Sequence, residues 1–329
     1  MTFVSDRLSV APMMDWTDRH FRFMMRQITR RTLLYTEMVT AQAVVFGDAR
    51  RLLAFSPEEK PLILQLGGSD PDLLAKACKI AAPLGFDGIN LNAGCPSERV
   101  AAGCFGAALR KSPELIAECL SAMIESSNLP VSVKSRIALA EETSDSDGYD
   151  NLTDFVEKAE KAGCKNFIIH ARKAKLDGFT PKQNRERLPL RYDLVYRLKQ
   201  DFPTLRISIN GNVASLNEAK EHLKYVDGVM IGRAAYATPM MFARADKEIF
   251  EDVCDEKKPW DIVLSMENYI TRQINEGVRL PDITRHMLGL FRGCPGAARW
   301  RRELTQNAVL PNADFKTVAL ALKNVISSS

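Results

Sequence analysis

The chain has 329 residues, 46% hydrophobic and 26% charged, with a formal net charge of +4, which is the ordinary balance of a globular protein. No apolar run approaches the roughly 18 residues of a membrane helix, and the first residues lack the basic and apolar regions of a signal peptide. Seven cysteines without a Cys-x-x-Cys pair argue against a disulfide framework or a structural zinc site, so we expect a reduced, cytoplasmic protein with no metal centre.

Short β-branched runs alternate with amphipathic runs through the first 250 residues. Eight strands that alternate with eight helices are the count of a (β/α)₈ TIM barrel, and we predict this α/β fold. A doubly wound open sheet is the alternative, but no Gly-x-Gly-x-x-Gly follows an early strand. The predicted strands are 8–13, 33–37, 62–66, 88–93, 131–137, 166–171, 207–211 and 228–232, and the predicted helices are 18–29, 40–47, 71–84, 113–126, 152–162, 190–201, 215–224 and 240–250.

The strand pattern stops after residue 250, where the polar segment "FEDVCDEKKPW" has the composition of a linker. We therefore predict two domains, a barrel over 1–250 and a small helical domain over 251–329. The acidic stretch 141–150 is predicted to be a solvated loop. The helices predicted after the linker are 260–278, 282–292, 296–308 and 313–327.

Positive charge is concentrated in two segments. Residues 170–191 carry seven Lys or Arg against two acids, and residues 285–302 carry five Arg and no acid. Two basic segments on a slightly acidic body suggest a polyanionic partner. Solvated surface charge is the ordinary alternative, and composition does not decide between them.

Polar side chains and glycines follow most of the predicted strands. In a (β/α)₈ barrel the chemistry lies at the carboxyl ends of the strands, so these residues would surround a ligand. The ends of strands seven and eight, "INGN" and "IGRAAY", fit the usual phosphate site of such barrels, with Arg233 as a charged clamp. The residues at strand ends are Pro12, Met13, Met14, Gln65, Asn90, Asn92, Cys95, Lys134, Arg136, His170, Arg172, Asn210, Gly211, Asn212, Gly232 and Arg233.

Lys134 lies within "VSVKSRI" and is predicted to point into the barrel mouth, where an unpaired ammonium group is costly. It could be a Schiff-base nucleophile, as in aldolases, or a fixed cation beside an electron-rich ring such as a flavin. Gln65 offers a donor and an acceptor suited to the edge of a flavin. His170 is either a ligand-facing group or a core histidine bonded to a carbonyl.

Cys95 follows Gly94 and precedes Pro96, where the fourth predicted strand ends. A free thiol is mostly protonated at neutral pH, which suits a proton donor better than a nucleophile unless a neighbouring cation acts on it. Cys104, in "AAGCFGAAL", is the competing candidate, placed second because it lies in a predicted loop.

Eight segments together resemble the tRNA-dihydrouridine synthases, specifically the A-type bacterial branch. The resemblance covers nearly the whole chain, and "NxGCP" and "TRHMLGLF…GA…WRR" occur jointly and in order. The segments are "APMMDWTDRH", "LLYTEMVT", "LQLGGSDP", "INLNAGCPSERV", "FIIHARKA", "SINGN", "DGVMIGRAAY" and "ITRHMLGLFRGCPGAARWRREL".

This resemblance implies an FMN-dependent oxidoreductase that uses NADPH to reduce the C5=C6 bond of D-loop uridines at positions 20 and 20a of tRNA. Hydride would pass from flavin N5 to uracil C6, and Cys95 would protonate C5. The barrel would be the FMN-binding catalytic domain, the helical domain would bind tRNA, and we expect a monomer. By motif, FMN would be held by Pro12, Met13, Met14, Gln65, Lys134, His170, Asn210, Gly211, Asn212, Gly232 and Arg233, and the substrate by Asn92, Arg136, Arg172, Arg285, Arg292, Arg299 and Arg302.

Two positions depart from the branch pattern. Ala138 follows "SRI" where Gly is usual, and Asn212 stands where "INGG" is usual, so a side chain there is expected to crowd the phosphate loop. Three other functions remain open: an FMN barrel that acts on a free pyrimidine, a Lys134 Schiff-base aldolase, and an RNA-binding module on an inactive barrel.

Overall fold

A closed barrel of eight parallel strands forms the centre of the molecule, in a computed structural model that describes residues 6–97, 103, 105–140 and 148–326. The strand order is β1-β8-β7-β6-β5-β4-β3-β2. Backbone hydrogen bonds from Val10 N to Leu33 O (2.9 Å) and from Leu33 N to Leu8 O (3.0 Å) close the ring between β1 and β2. The predicted barrel is therefore confirmed. The strands are β1 Leu8–Val10, β2 Leu34–Thr40, β3 Leu62–Gly67, β4 Gly88–Ala93, β5 Val131–Arg136, β6 Asn166–His170, β7 Arg206–Asn210 and β8 Gly228–Ile231.

The eight predicted helical segments are all helical and occur in the predicted order, but their bounds differ and additional short helices lie between them. Helix 152–162 was predicted too short, because it begins at Tyr149, and residues 141–147 of the acidic stretch lie outside the described residues. Residues 240–250 form a 3₁₀ helix followed by an α-helix rather than one helix. The helices are Arg19–Ile28, Ala41–Phe46, Ala49–Leu52, Pro71–Ala81, Pro113–Ser126, Tyr149–Lys161, Pro181–Glu186, Tyr192–Asp201, Leu216–His222, Arg233–Ala237 and Ala245–Phe250, with 3₁₀ turns at Pro57–Glu59, Ala82–Leu84, Gly106–Lys111 and Pro239–Arg244.

The short helix Pro181–Glu186 was not predicted. Thr180 accepts a hydrogen bond from Gln183 N (3.2 Å), and the Gln183 side chain accepts one from Thr180 N (2.8 Å). This reciprocal capping box with proline at the first helical position starts the helix, although the segment has no apolar periodicity.

The carboxyl-terminal part of the chain is helical, as predicted, but its first two helices are broken. The predicted helix 260–278 is interrupted at Met266, and 282–292 contains only a short helix and a 3₁₀ turn. The elements are Pro259–Ser265, Glu267–Asn275, Leu280–Thr284, the 3₁₀ turn Met287–Gly289, Ala297–Asn307 and Phe315–Ile326.

This helical region packs against the barrel beside the ends of β1 and β8. Asp18, which caps the first helix, accepts hydrogen bonds from His286 Nε2 (2.9 Å) and from Arg285 Nη2 (2.5 Å). A β-carbon on Gly289 would lie 2.9 Å from Pro239 Cδ, so the 3₁₀ turn approaches the loop after β8 as closely as a bare backbone allows. None of the helices in the described part of the chain has the length and apolar character needed to cross a bilayer.

Candidate active site

Alternation along the strands decides which side chains face the inside of the barrel. Ile63 and Ile168 belong to a small buried cluster that is separate from the main core, whereas their neighbours Leu62 and Phe167 belong to the main core. Because side chains alternate across a strand, Gln65 shares the inner face with Ile63, and His170 shares it with Ile168. The same alternation along each strand places the following strand-end residues on the inner face at the mouth: Gln65, Asn90, Asn92, Lys134, Arg136, His170 and Asn210.

The loop that carries Cys95 is held by side chains from two strands. Asn92 Oδ1 accepts hydrogen bonds from Gly94 N (3.1 Å) and Cys95 N (3.0 Å), and Arg136 Nε donates to Gly94 O (3.0 Å). A β-carbon on Gly94 would lie 3.3 Å from Lys134 O, so glycine lets the loop lie against β5. These bonds hold the half-buried Cys95 at the mouth, where its thiol donates a hydrogen bond to Ser97 Oγ at 3.6 Å.

The amides at the mouth form a continuous chain of hydrogen bonds. Asn92 Nδ2 donates to Gln65 Oε1 (3.0 Å), Gln65 Nε2 donates to Asn90 Oδ1 (2.8 Å), and Asn90 Nδ2 donates to Ser132 Oγ (2.9 Å). Both Gln65 and Asn92 still have one amide N–H outside this chain. The chain orients these two N–H groups, so both remain available for a ligand at the mouth.

Three nitrogen atoms at the mouth have no hydrogen-bond or ion-pair partner within the described residues. The Lys134 ammonium makes no hydrogen bond or ion pair, and His170 Nδ1 and Arg172 Nη1 are buried without a partner. Burial lowers the pKa of Lys134 to about 8, with a further contribution from Arg136. Burial, together with the charges of Arg136 and Lys134, holds the pKa of His170 well below its usual range, so its imidazole is neutral at pH 7. Donors without acceptors indicate that an anionic or electron-rich ligand belongs here.

The loop after β7 adopts backbone conformations that favour glycine. Gly211 has φ 132° and Asn212 has φ 56°, and Tyr192 Oη donates to Gly211 O (2.5 Å). Asparagine tolerates the left-handed region better than most residues, which explains why the chain can carry Asn212 in place of glycine. The Asn212 side chain is exposed, while Asn210 is buried and donates to Met230 O (2.7 Å).

The ends of β1 and β8 lie side by side at the mouth. Pro12 and Met13 are half-buried and Met14 is exposed, and the Gly232 backbone passes close to Met13, whose Sδ would be 3.8 Å from a β-carbon there. Arg233, predicted as a clamp for an anion, forms a half-exposed ion pair with Glu186 (3.3 Å).

Three further residues of the mouth were not predicted from the sequence. Glu37 lies on β2, which continues to Thr40 beyond its predicted end; its half-buried carboxylate accepts a hydrogen bond from Asp15 N, and burial raises its pKa. Arg185, on the unpredicted helix, has a buried Nε without a partner. The third residue is Tyr192, whose hydroxyl donates to Gly211 O in the loop after β7. The glutamate in "LLYTEMVT" was the available signal, because β2 is the strand whose end contributed no candidate residue.

The predicted tRNA-contacting arginines lie outside the barrel mouth proper. Arg285 is paired with Asp18, Arg292 Nη1 donates to Ala237 O (3.4 Å), and Arg299 is paired with Glu303 (2.7 Å). Arg302 is exposed. Cys104, the competing thiol, lies outside the described residues, and Ala138 is buried.

A second concavity lies at the opposite, amino-terminal end of the barrel. It has a volume of about 590 Å³, and its lining includes Lys165 and Arg206. Lys165 is paired with Glu160 (3.0 Å), and Arg206 is paired with Asp6. Because its cations are neutralised by the protein, this concavity does not show the unpartnered donors of the mouth. The described residues contain no group of three or more His, Cys, Asp or Glu side chains that could hold a metal ion.

Comparison with known proteins gives a consistent result. The family model described as "Dihydrouridine synthase (Dus)" matches residues 9–325. Among curated proteins, the chain is 52% identical over 322 residues to the tRNA-dihydrouridine(20/20a) synthase of Vibrio parahaemolyticus, covering 98% of this chain and 97% of the relative. It is 51% identical over 322 residues to that of Escherichia coli K12 (98% and 92% coverage) and 50% identical over 316 residues to that of Synechocystis (96% and 93% coverage).

Among solved structures, the old yellow enzyme homologue from Zymomonas mobilis matches with a TM-score of 0.52 and 13% identity. The match covers 78% of this chain and 91% of that one, and at this identity it supports the barrel fold alone.

Proposed function

Since this chain belongs to the dihydrouridine synthase family, we propose that it reduces the C5=C6 bond of uridines 20 and 20a of tRNA, with FMN as bound cofactor and NADPH as reductant. Cys95 is the general acid. The observation that carries this proposal is the Cys95 loop itself, which Asn92 and Arg136 fix at the mouth beside donors that lack partners.

The residues at the mouth fit FMN. Lys134 and the free amide N–H of Gln65 would hold the polar edge of the ring, with Met13 and Met14 packed against it. The unpartnered Nδ1 of His170 and the glycine-containing ends of β7 and β8, including Gly211, Asn212, Gly232 and Arg233, would hold the ribityl phosphate chain. Bound FMN supplies the hydride that is delivered to uracil C6.

The protein's own part in the chemistry is a proton transfer. Addition of hydride at C6 leaves negative charge at C5, and the Cys95 thiol donates its proton there; the thiolate then takes a proton from solvent. Burial lowers the pKa values of Lys134, Arg136 and Arg185, and Cys95 is close enough to all three for a negative charge on it to act in the opposite direction. These cations stabilise the thiolate that remains after the transfer.

Asn92 has two roles in this scheme. Its oxygen accepts the Gly94 and Cys95 N–H groups, which sets the direction of the thiol, and its remaining N–H points to the substrate side. Arg172, whose buried Nη1 lacks a partner, is the second candidate to contact the uracil or its phosphate. A uridine in folded tRNA must be turned outward to reach this site, which costs a few kcal/mol.

Arginines of the carboxyl-terminal helical region supply contacts that offset this cost. Arg285, Arg292, Arg299 and Arg302 give the region a basic surface with which it binds tRNA phosphates. Because its substrate is tRNA, the enzyme is expected to act in the cytoplasm, and the monomer expected from the sequence stays a prediction.

An absorbance experiment tests the function directly. The purified protein should show flavin bands that bleach with NADPH and recover on addition of unmodified tRNA, with dihydrouridine at positions 20 and 20a detected by mass spectrometry. Free uridine should not restore the bands. A protein that cannot be loaded with FMN would contradict the proposal, and recovery with free uridine would instead support a reductase of free pyrimidines.

A further inference from the structure

Two aromatic rings are stacked at the rim of the barrel mouth. Trp16, in the loop after β1, lies on Tyr236, which follows β8, with ring centroids 4.6 Å apart and planes inclined by 16°. Trp16 is 38% exposed, whereas Tyr236 is half-buried between Trp16, Phe21 and His286. One face of the indole is therefore covered by the tyrosine, and the rest of the ring is accessible at the rim.

The loop that carries Trp16 is held rigidly. Met13 O accepts hydrogen bonds from Trp16 N (3.2 Å) and Thr17 N (3.0 Å), and Thr17 Oγ1 accepts one from Met13 N (2.9 Å). Glu37 accepts a hydrogen bond from Asp15 N, and Asp15 lies in the left-handed region at φ 64°. A ring fixed in this way loses little conformational entropy when a ligand stacks on it.

Two arginines of the carboxyl-terminal region lie beside the stacked pair, close to the acids Asp15, Asp18 and Glu37. Tyr236 Oη donates to Arg285 O (3.5 Å), and Arg292 Nη1 donates to Ala237 O (3.4 Å). Both arginines belong to the segment 285–302, which contains five Arg and no acid. Asp18 is adjacent, but it is paired with Arg285 and His286. Burial acts to raise the pKa of its carboxyl, but the hydrogen bonds and charges of its partners, first of them His286, together outweigh burial and hold that pKa well below its usual range, so Asp18 is ionised.

The position in the barrel separates this feature from the reacting uracil. Around the ring of strands, β1 and β8 lie across the mouth from β4, whose end carries Cys95. A base that reaches the Cys95 thiol cannot at the same time lie on Trp16. With tRNA as the ligand, a base on the indole face would therefore belong to another nucleotide of the same strand.

We propose that Trp16, backed by Tyr236, is a stacking platform for an unpaired base of tRNA that neighbours the uridine being reduced. Exposed aromatic faces beside basic groups are how proteins bind single-stranded RNA, because every base has a π-face and the adjacent cations bind its phosphate. The inference rests on the proposed function, since it takes tRNA as the ligand. It adds a positioning residue on the opposite side of the mouth from the reacting thiol.

The chain provides a matched control. Trp260 begins the carboxyl-terminal helical region on Pro259–Ser265 and is 44% exposed, similar to Trp16, but it has no aromatic ring stacked on it in the described residues. The remaining tryptophan, Trp300, is fully buried. Trp16→Ala and Trp260→Ala thus remove equivalent exposed rings at two different places.

The first test compares tRNA affinity and kinetics. Trp16→Ala should weaken binding of unmodified tRNA about 5- to 100-fold, the range of one base–aromatic stack, and raise KM for tRNA with little change in the rate of flavin reduction by NADPH. Trp16→Phe should recover most of the loss, and Trp260→Ala should change affinity less than about twofold. Equal tRNA affinity for the Trp16→Ala and Trp260→Ala proteins would overturn the proposal.

A second measurement uses the intact ring, so it does not depend on how well the alanine variant folds. In Trp260→Phe protein, tRNA should quench the fluorescence of Trp16, because Trp300 is buried; absence of quenching at saturating tRNA would also overturn the proposal. Different outcomes would refute the proposed function and the stacking platform. If the native enzyme forms no dihydrouridine, the proposed function is wrong. If the native enzyme forms dihydrouridine and Trp16→Ala leaves tRNA affinity and KM unchanged, only the stacking platform is refuted.

Discussion

The barrel mouth and the carboxyl-terminal helical region both carry positive charge, but they hold it in opposite ways. At the mouth, the Lys134 ammonium and the buried Arg172 Nη1 have no partner within the described residues. In the helical region, Arg299 and Arg285 are partly exposed and paired with carboxylates.

The difference shows which kind of ligand each region suits. A buried donor without an acceptor is costly, so it is retained where a small ligand of fixed shape completes it. An exposed arginine paired with a carboxylate gains little from that pair and can exchange it for a phosphate at little cost. The mouth therefore suits the cofactor proposed for it, and the helical region suits a polyanion whose binding depends on salt.

The strongest challenge to a preformed mouth is a change at Asn92. Asn92→Ala removes the acceptor of the Gly94 and Cys95 N–H groups and should lower single-turnover uridine reduction about 100-fold, because the thiol is no longer oriented. Asn92→Asp keeps the acceptor and should recover part of the rate. An unchanged rate in Asn92→Ala would show that the loop needs no such support.

Charge reversal at two arginines tests the second half of the comparison. The double variant Arg299→Glu, Arg302→Glu should weaken tRNA binding at least about tenfold and flatten the dependence of log affinity on log salt by about one unit per lost phosphate contact. Arg7→Glu, at the opposite end of the barrel, is the control and should leave the slope unchanged. An unaltered slope in the double variant would contradict the assignment of this surface.

The unpartnered lysine should reduce the stability of the protein without flavin. The pKa of Lys134 falls from 10.5 in the unfolded chain to about 8 in the folded one, so the unfolded state binds more protons between these values. Lys134 therefore lowers the free energy of unfolding by its full amount below pH 8. This destabilisation decreases as the pH rises from 8 to 10.5. Lys134→Met should stabilise the flavin-free protein by about 1–3 kcal/mol at pH 7, by chemical denaturation.

The exposed counterpart gives the contrast. Arg302→Met should change the free energy of unfolding by less than about 0.5 kcal/mol and show no comparable pH dependence. A similar gain from both substitutions would mean that the mouth is no more strained than the surface.

The smallest expected effect concerns the phosphate loop. Asn212→Ala should lower the free energy of unfolding by about 1 kcal/mol, because alanine is disfavoured at φ 56°, whereas Asn212→Gly should be neutral within about 0.5 kcal/mol. Thermal melts of the two variants measure the difference. Equal melting temperatures would show that this backbone conformation is not maintained in solution.

The barrel could be predicted from sequence because its strands are covered on both faces. Segments such as Leu62–Gly67 and Gly88–Ala93 are continuous apolar runs interrupted at the mouth by amides, and both were placed within a residue. The helix Pro181–Glu186 was missed because it is polar throughout. The break at Met266 was missed because apolar residues continue across it.

Site residues could be listed from strand ends, but their connections could not. The bond from Asn92 to Gln65 joins residues 27 positions apart and depends on the register between β3 and β4, which periodicity does not reveal. Glu37 is the last residue of the second predicted strand, but it was not chosen as a candidate, although a carboxylate at a strand end was an available signal. The contact between Trp16 and Tyr236 depends on barrel closure, which brings β1 beside β8.

The most direct test of the central claim is single-turnover oxidation of the NADPH-reduced enzyme by unmodified tRNA, compared between the native protein and Cys95→Ala. We predict that Cys95→Ala binds FMN and tRNA normally and is reduced by NADPH. It should form dihydrouridine at least about 100-fold more slowly than the native protein. Dihydrouridine formation by Cys95→Ala at the native rate would show that another group protonates C5, and would contradict the role assigned to this thiol.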